Sequence, residues 1–122
     1  CFDLRFPELY RRYSAMGAQV LCVPSSFTRI TGLAHWEVLL RARAIENLGY
    51  VLAPNQTGLD GNGVQSYGNS MVINPWGEVI ARASDDNEEI IFADINEEEC
   101  KSARRKLPLT NTGKAPANVK TG

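Results

Sequence analysis

A long amphipathic segment that leads directly into a short apolar one constrains the fold most. Leu33–Leu48 carries apolar residues at helical spacing and is followed by Gly49, which favours the end of a helix. The apolar stripe of this predicted helix consists of Leu33, Trp36, Leu40, Ala44 and Leu48. Tyr50–Ala53 comes next and is typical of a short strand buried on both faces. A helix followed by a buried strand indicates parallel α/β winding.

The same order of helix and strand occurs nearer the start of the chain. Pro7–Met16 predicts a helix, because Pro favours the first helical position and Gly17 favours the position after the last turn. Ala18–Val23 is an apolar run that predicts a second strand buried on both faces. Right-handed crossovers place both predicted helices on the same side of one sheet. The residues expected to share a face of the first helix are Leu9, Tyr13 and Met16.

The later part of the chain predicts a loop, a hairpin, a further strand and a polar helix. In chain order these are a Gly-rich loop over Asn55–Gln65, hairpin strands over Ser70–Asn74 and Glu78–Ala83, a strand over Glu89–Ile95 and a helix over Glu97–Lys106. Residues 1–108 form the predicted domain. Residues 109–122 are predicted to be a flexible polar tail, because they hold few apolar side chains to bury.

Composition and charge exclude several classes of partner. The chain has 43% apolar residues, and its 13 basic and 14 acidic residues give a formal net charge of −1, so neither nucleic acid nor a membrane is an expected partner. No apolar run reaches the length of about 20 residues that spans a bilayer, and no basic-then-apolar leader opens the chain. Cys1, Cys22 and Cys100 form neither a disulfide framework nor a metal-ligand set. We therefore expect a cytoplasmic protein without a metal or an organic cofactor.

The strongest candidate for chemistry is Cys1. It precedes the predicted helix Pro7–Met16, and unpaired backbone N–H groups and the helix dipole stabilise a thiolate at such a position. The backbone N–H of Phe2 could hold the oxyanion of a tetrahedral intermediate in acyl transfer. The alternative is that Cys1 has no role and only happens to stand first. Cys22 is expected to be buried within an apolar strand, and Cys100 to lie on a polar helix without a matching site.

Three stretches of the sequence resemble the nitrilase (carbon–nitrogen hydrolase) superfamily over about residues 1–108. The first stretch, CFDLRFPEL, is similar to the nucleophile segment of that superfamily. The second is similar to the strand, loop, helix and strand that follow in the superfamily, and it reads PSSFTRITGLAHWEVLLRARAIENLGYVLAPNQTG. The third, YGNSMVINPWGEVIA, is similar to the later hairpin. Within the second stretch, TGLAHWEVLLRARAIEN most resembles the amidase branch that includes deaminated glutathione amidase and ω-amidase.

The resemblance implies a fold, a reaction and partners. The implied fold is the C-terminal half of an αββα four-layer sandwich, and the implied chemistry is that of a Glu–Lys–Cys hydrolase in which Cys1 attacks a small carboxamide through a thioester intermediate. The Glu base and the Lys lie upstream of the Cys in the family, so we expect this chain to be inactive alone. The resemblance also implies a homo-oligomer that pairs through the helices at residues 7–16 and 33–48.

Other residues are candidates for the substrate pocket. Arg5 matches a position at which some family members contact a substrate carboxylate, but it could instead pair with Asp3 or Glu8. The remaining pocket candidates, which follow the carboxyl end of the first predicted strand, are Ser26, Phe27 and Thr28. Phe27 could equally be a residue of the core.

His35 and the polar side of the long helix leave further alternatives open. His35 is the only histidine; we expect it to pack or to form hydrogen bonds at the start of the helix rather than to act as a catalytic base. Arg41, Arg43 and Glu46 predict a solvated face or a subunit interface. Two other functions stay open, namely a hydrolase in which the α-amine of Cys1 is the base and a non-catalytic module that only self-associates.

Overall fold

The computed structural model describes residues 1–109, which form a four-stranded mixed sheet with helices packed against it. The strands are β1 (Val20–Cys22), β2 (Tyr50–Ala53), β3 (Met71–Ile73) and β4 (Val79–Arg82). The sheet follows the order β1-β2-β3-β4, with β1 and β2 parallel and the other pairs antiparallel. The helices are α1 (Pro7–Ala15), α2 (Arg29–Thr31), α3 (Glu37–Asn47) and α4 (Glu97–Lys106). The predicted α/β architecture is confirmed.

Helix α1 begins at the predicted residue and ends one residue earlier than predicted, and it buries a different face. Pro7 occupies the first helical position, and Gly17 takes a φ of +100° just beyond the end. Tyr10 and Ser14 are buried, whereas Tyr13 and Met16 are exposed. The expected shared face was wrong because α1 packs on α3 rather than flat on the sheet: the Ser14 hydroxyl donates to the carbonyl oxygen of Asn47 at 3.4 Å. Helix α1 thus packs on α3, which itself packs on β2 and β3.

The long predicted helix starts earlier and winds differently than its periodicity indicates. Helix α2 runs without a break into a π-helical segment, Gly32–Trp36, and then into α3. Most of the predicted stripe is buried, but the side chain of Leu33 is 68% exposed. The π-helical segment accounts for this difference, because wider winding rotates the residues before it off the line of the stripe. The segment fits the fold at Gly32, whose missing Cβ leaves room for the side chain of Tyr67.

The junction between α3 and β2 shows why a glycine follows the helix. The left-handed residue after α3 is Leu48, with a φ of +47°, and not Gly49. A Cβ on Gly49 would lie 3.0 Å from the carbonyl oxygen of Gln19. The glycine therefore permits a close approach between β2 and the segment before β1. Strand β2 has the predicted bounds and a buried pattern.

Strand β1 is shorter than predicted and is not buried on both faces. Leu21 is buried, but Val20 and Cys22 are exposed because residues 1–109 leave that face of the strand uncovered. The expectation that Cys22 is buried was therefore wrong.

The hairpin is confirmed, while the strand expected after it is absent from the described residues. Strands β3 and β4 flank a turn in which the Asn74 side-chain oxygen accepts from the backbone N–H groups of Trp76 and Glu78. Glu89–Ile95 forms no strand, because no neighbouring strand of residues 1–109 offers it backbone hydrogen bonds. Helix α4 has the predicted bounds. Of the predicted tail, residues 110–122 lie outside the described part of the chain.

Candidate active site

Cys1 is exposed and is followed by a single 3₁₀ turn, Asp3–Arg5, before α1 begins. The turn is closed by hydrogen bonds from the Arg5 N–H to the Phe2 carbonyl and from the Phe6 N–H to the Asp3 carbonyl, each at 3.0 Å. The prediction that Cys1 immediately precedes the helix Pro7–Met16 was wrong, because Phe6 is extended and separates the turn from α1. The Phe2 N–H has no hydrogen-bond partner within residues 1–109 and is free to donate to a ligand.

The 3₁₀ turn is held in place by a buried arginine of α3. Arg43 is 5% exposed, and its Nε and Nη2 donate to the carbonyl oxygen of Leu4 at 3.1 and 2.7 Å. Its Nη1 donates to a carboxylate oxygen of Glu46 at 2.9 Å, and its guanidinium lies 5.9 Å from the ring centre of Tyr10. The solvated face predicted for Arg43 was therefore wrong. Arg43 instead fixes the backbone that follows Cys1.

Every residue predicted for the site lines one cleft. This cleft has a volume of about 270 Å³ and is lined by Cys1, Phe2, Arg5, Ser26, Phe27, Thr28 and Thr31. The carboxyl end of β1 and the 3₁₀ turn bring the two groups of residues together, as expected for ligands at the edge of an α/β sheet. Sequence reasoning missed Thr31, although its spacing from Thr28 within a helical start was a usable signal. The hydroxyl oxygens of Thr28 and Thr31 lie 3.0 Å apart and share a hydrogen bond.

The wall of the cleft is fixed by a buried asparagine. The Asn55 side-chain oxygen accepts from the Phe27 backbone N–H at 2.8 Å, and its amide nitrogen donates to the Gly68 carbonyl at 2.7 Å. The Phe27 ring packs on Trp36 with ring centres 4.9 Å apart. Phe27 thus belongs both to the core and to the lining of the cleft, so the two readings of this residue do not exclude each other.

Arg5 forms neither of the expected acidic pairs within residues 1–109. Its Nη1 lies 3.2 Å from the Nδ1 of His35, and its guanidinium carbon lies 5.3 Å from the ring centre of Phe27. His35 is exposed within residues 1–109, and of the two roles expected for it, packing or hydrogen bonding at the start of the helix, the described residues show the hydrogen bond to Arg5. His35 does not line the cleft, and among the described residues it forms no hydrogen bond with Cys1. The geometry therefore gives no support to a Cys–His pair.

The three thiols differ in their access to the cleft. Cys22 is exposed but does not line it. Cys100 is buried in α4, where its Sγ donates to the Leu48 carbonyl at 3.1 Å, and burial raises the pKa of this thiol. Of the three, Cys1 alone lines the cleft.

A larger and more polar groove continues from the cleft. It has a volume of about 510 Å³, shares Ser26 and Thr28 with the cleft, and extends to Gln56, Thr57 and Asp60. A substrate bound beside Cys1 therefore has room to extend over polar side chains. Within residues 1–109 no three His, Cys, Asp or Glu side chains cluster as metal ligands. The same residues include no helix that is long and apolar enough to cross a membrane.

The fold and the site together define an α/β protein with a cysteine at a cleft on the edge of its sheet. The family model described as carbon-nitrogen hydrolase matches residues 1–105. The deaminated glutathione amidase of Dictyostelium discoideum is 49% identical over 111 residues, which are 91% of this chain and 38% of that protein. The chain belongs to the carbon–nitrogen hydrolase family, which confirms its resemblance to the nitrilase superfamily.

Solved structures confirm the predicted nitrilase-like fold class. The crystal structure of the C. elegans NitFhit protein matches with a TM-score of 0.87 at 50% identity, over 91% of this chain and 27% of that chain. A mutant of the amidase from Nesterenkonia sp. AN1 matches with a TM-score of 0.69 at 28% identity, over 92% of this chain and 42% of that chain. In that mutant the acetamide moiety of fluoroacetamide is covalently added at the active-site cysteine.

Proposed function

We propose that this chain is the C-terminal part of an amidase in which Cys1 is the nucleophile. The Sγ of Cys1 attacks the carbon of a small carboxamide, and ammonia leaves to give a thioester. Water then attacks the thioester, which releases the acid and restores the thiol. The observation that carries the proposal is that Cys1, alone among the three thiols, lines the cleft, next to a backbone N–H with no partner in residues 1–109.

The other cleft residues have roles that follow from their chemistry. The Phe2 N–H donates to the oxygen that becomes negatively charged when the thiolate attacks. Arg5 offers N–H donors to a carboxylate on the substrate. Ser26 and Thr28 supply hydroxyl groups at the junction with the polar groove, and the Phe27 ring forms an apolar wall.

The activating groups belong to another part of the protein. The chain covers 38% of the length of its Dictyostelium relative and, by its resemblance to the family, the Glu base and the Lys precede Cys1. Residues 1–122 alone thus provide a nucleophile without its base, and we expect negligible turnover from them. The absence of disulfide spacing among the cysteines supports a reducing compartment, so the proposed location is the cytoplasm.

Exposed apolar residues support the proposed homo-oligomer. Met16 at the end of α1 and Ile30, Leu33 and Val38 along the long helix are all exposed. Apolar patches of this kind mark interaction surfaces, and Met16, Leu33 and Val38 fall in the two helices that the family resemblance implicates. Light scattering on residues 1–122 tests this proposal: self-association is expected, and a monodisperse monomer would contradict it.

Turnover by cysteine variants of the complete protein tests the proposed nucleophile. Ammonia release from a panel of small primary amides is expected for the wild type and to be abolished in Cys1→Ala. Cys1→Ser is also expected to fail, because a hydroxyl is far less ionised than a thiol at neutral pH. Cys22→Ala is the matched control, since Cys22 is exposed but lies outside the cleft, and it should keep wild-type turnover. Loss of activity in Cys22→Ala, with activity retained in Cys1→Ala, would contradict the proposal.

A further inference from the structure

We propose that His35 is a positioning residue that orients the guanidinium of Arg5 toward an anionic group in the cleft. This inference rests on the proposed function of the cleft and concerns a residue outside its lining. Arg5 lines the cleft together with Cys1, and the Nδ1 of His35 lies 3.2 Å from its Nη1. His35 is the only side chain of residues 1–109 that forms a hydrogen bond with Arg5.

The chemistry of the two groups determines the direction of the hydrogen bond. A guanidinium has donors and no acceptor, so the His35 Nδ1 accepts from Arg5 and the imidazole proton lies on Nε2. The ring of Phe27 faces the guanidinium at 5.3 Å and restrains it by cation–π contact. The Nε and Nη2 of Arg5 have no partner within residues 1–109. A planar guanidinium that is held in this way directs its remaining N–H groups toward a carboxylate.

The π-helical segment Gly32–Trp36 places His35 at this position. At its first residue, Gly32 fits against Tyr67, where a Cβ would collide with the ring. At its last residue, Trp36 is fully buried and its Nε1 donates to the Asn69 carbonyl at 2.8 Å. Both ends are thus fixed to the core while His35 between them stays exposed. Such π-helical turns within α-helices are frequent at functional sites.

Losing the acceptor should weaken anion binding without affecting the thiol. An arginine side chain that is not held in place must lose its rotamer freedom when a carboxylate binds, so we expect a loss of about three- to tenfold. Asn is the conservative replacement, because its Oδ1 is attached to Cγ as Nδ1 is in His and can accept the same hydrogen bond. Leu has a similar size but no acceptor. His35 is exposed, so neither change should affect the core.

Alkylation of the complete protein with iodoacetate and iodoacetamide tests the inference without requiring catalysis. Both reagents transfer a carbon to the thiolate and release iodide, but only iodoacetate carries a carboxylate. The ratio of the two rates at Cys1 is measured by peptide mass spectrometry, with Cys22, which does not line the cleft, as the internal reference. We expect His35→Leu to lower this ratio about three- to tenfold at Cys1 and to leave it unchanged at Cys22. His35→Asn should keep the wild-type ratio.

Steady-state turnover gives a second readout. For an amide that carries a carboxylate, His35→Leu should raise KM with little change in kcat, whereas the methyl ester of the same amide should show no change. An unchanged alkylation ratio in His35→Leu, or an equal loss in His35→Asn, would overturn the inference while leaving Cys1 as the nucleophile. A wild-type protein that hydrolyses no amide would overturn the proposed function, and the alkylation ratio would still decide the role of His35.

Discussion

Replacing Arg43 by Met should destabilise the protein strongly, because Arg43 supports the turn that follows Cys1. The change removes both hydrogen bonds to the Leu4 carbonyl, at 3.1 and 2.7 Å, and leaves that buried oxygen without a donor. A buried polar group that loses its partner costs about 1–3 kcal/mol. The Glu46 carboxylate also loses its partner, but its side chain is 32% exposed, so water screens much of that loss and it adds at most about 1 kcal/mol.

Together these terms give an expected loss of about 3 kcal/mol in the free energy of unfolding. Arg43→Lys is the matched control: it keeps a charge but replaces the fork by a single ammonium group, so it should lose about half as much. Urea unfolding of the complete protein measures both losses, and turnover should fall with them because the turn carries the Phe2 N–H. A loss below about 1 kcal/mol in Arg43→Met would refute the reasoning.

Two further predictions concern the buried residues Gly32 and Tyr50. Gly32→Ala should destabilise the protein by about 1–3 kcal/mol, since its Cβ would collide with Tyr67. Gly61→Ala is the control, because its Cβ meets nothing within 4 Å and stability should not fall. Equal melting temperatures of the two variants would contradict the predicted collision. Burial and then the hydrogen bond to Glu99 raise the pKa of Tyr50, so its stabilising contribution is fully present below pH 10 and is lost as the pH rises through the raised pKa. The decline of the urea midpoint above about pH 10 should therefore be shallower in Tyr50→Phe, and an identical slope would contradict the assignment.

Local signals predicted those elements whose bounds are marked by the sequence within and beside them. Strand β2 and helix α4 have their predicted bounds, because a short apolar run and a capped polar segment specify them directly. The π-helical segment was not predicted, since the side chain that excludes a Cβ at its first residue is Tyr67, which lies far from Gly32 in the sequence. The strand expected over Glu89–Ile95 has a suitable pattern, but pairing requires a neighbouring strand, and residues 1–109 provide none.

The residues that line the cleft were more predictable than the residues that hold them in place. Cys1, Arg5 and the residues after β1 come together because they fall at a sheet edge that the topology defines. Arg43 was assigned to a polar helix face, since spacing along a helix does not show that a carbonyl from another segment lies opposite. The contact between Arg5 and His35 was missed for the same reason, as it joins residues 30 positions apart.

Trapping the covalent intermediate tests the central claim most directly. The complete protein is mixed with a primary carboxamide, quenched in acid during turnover and digested, and the acylated peptide is identified by mass spectrometry. We predict an acyl group in thioester linkage on Cys1, absent from Cys1→Ala and present in Cys22→Ala. An acyl adduct on Cys22 or Cys100, or full turnover by Cys1→Ala, would contradict the account.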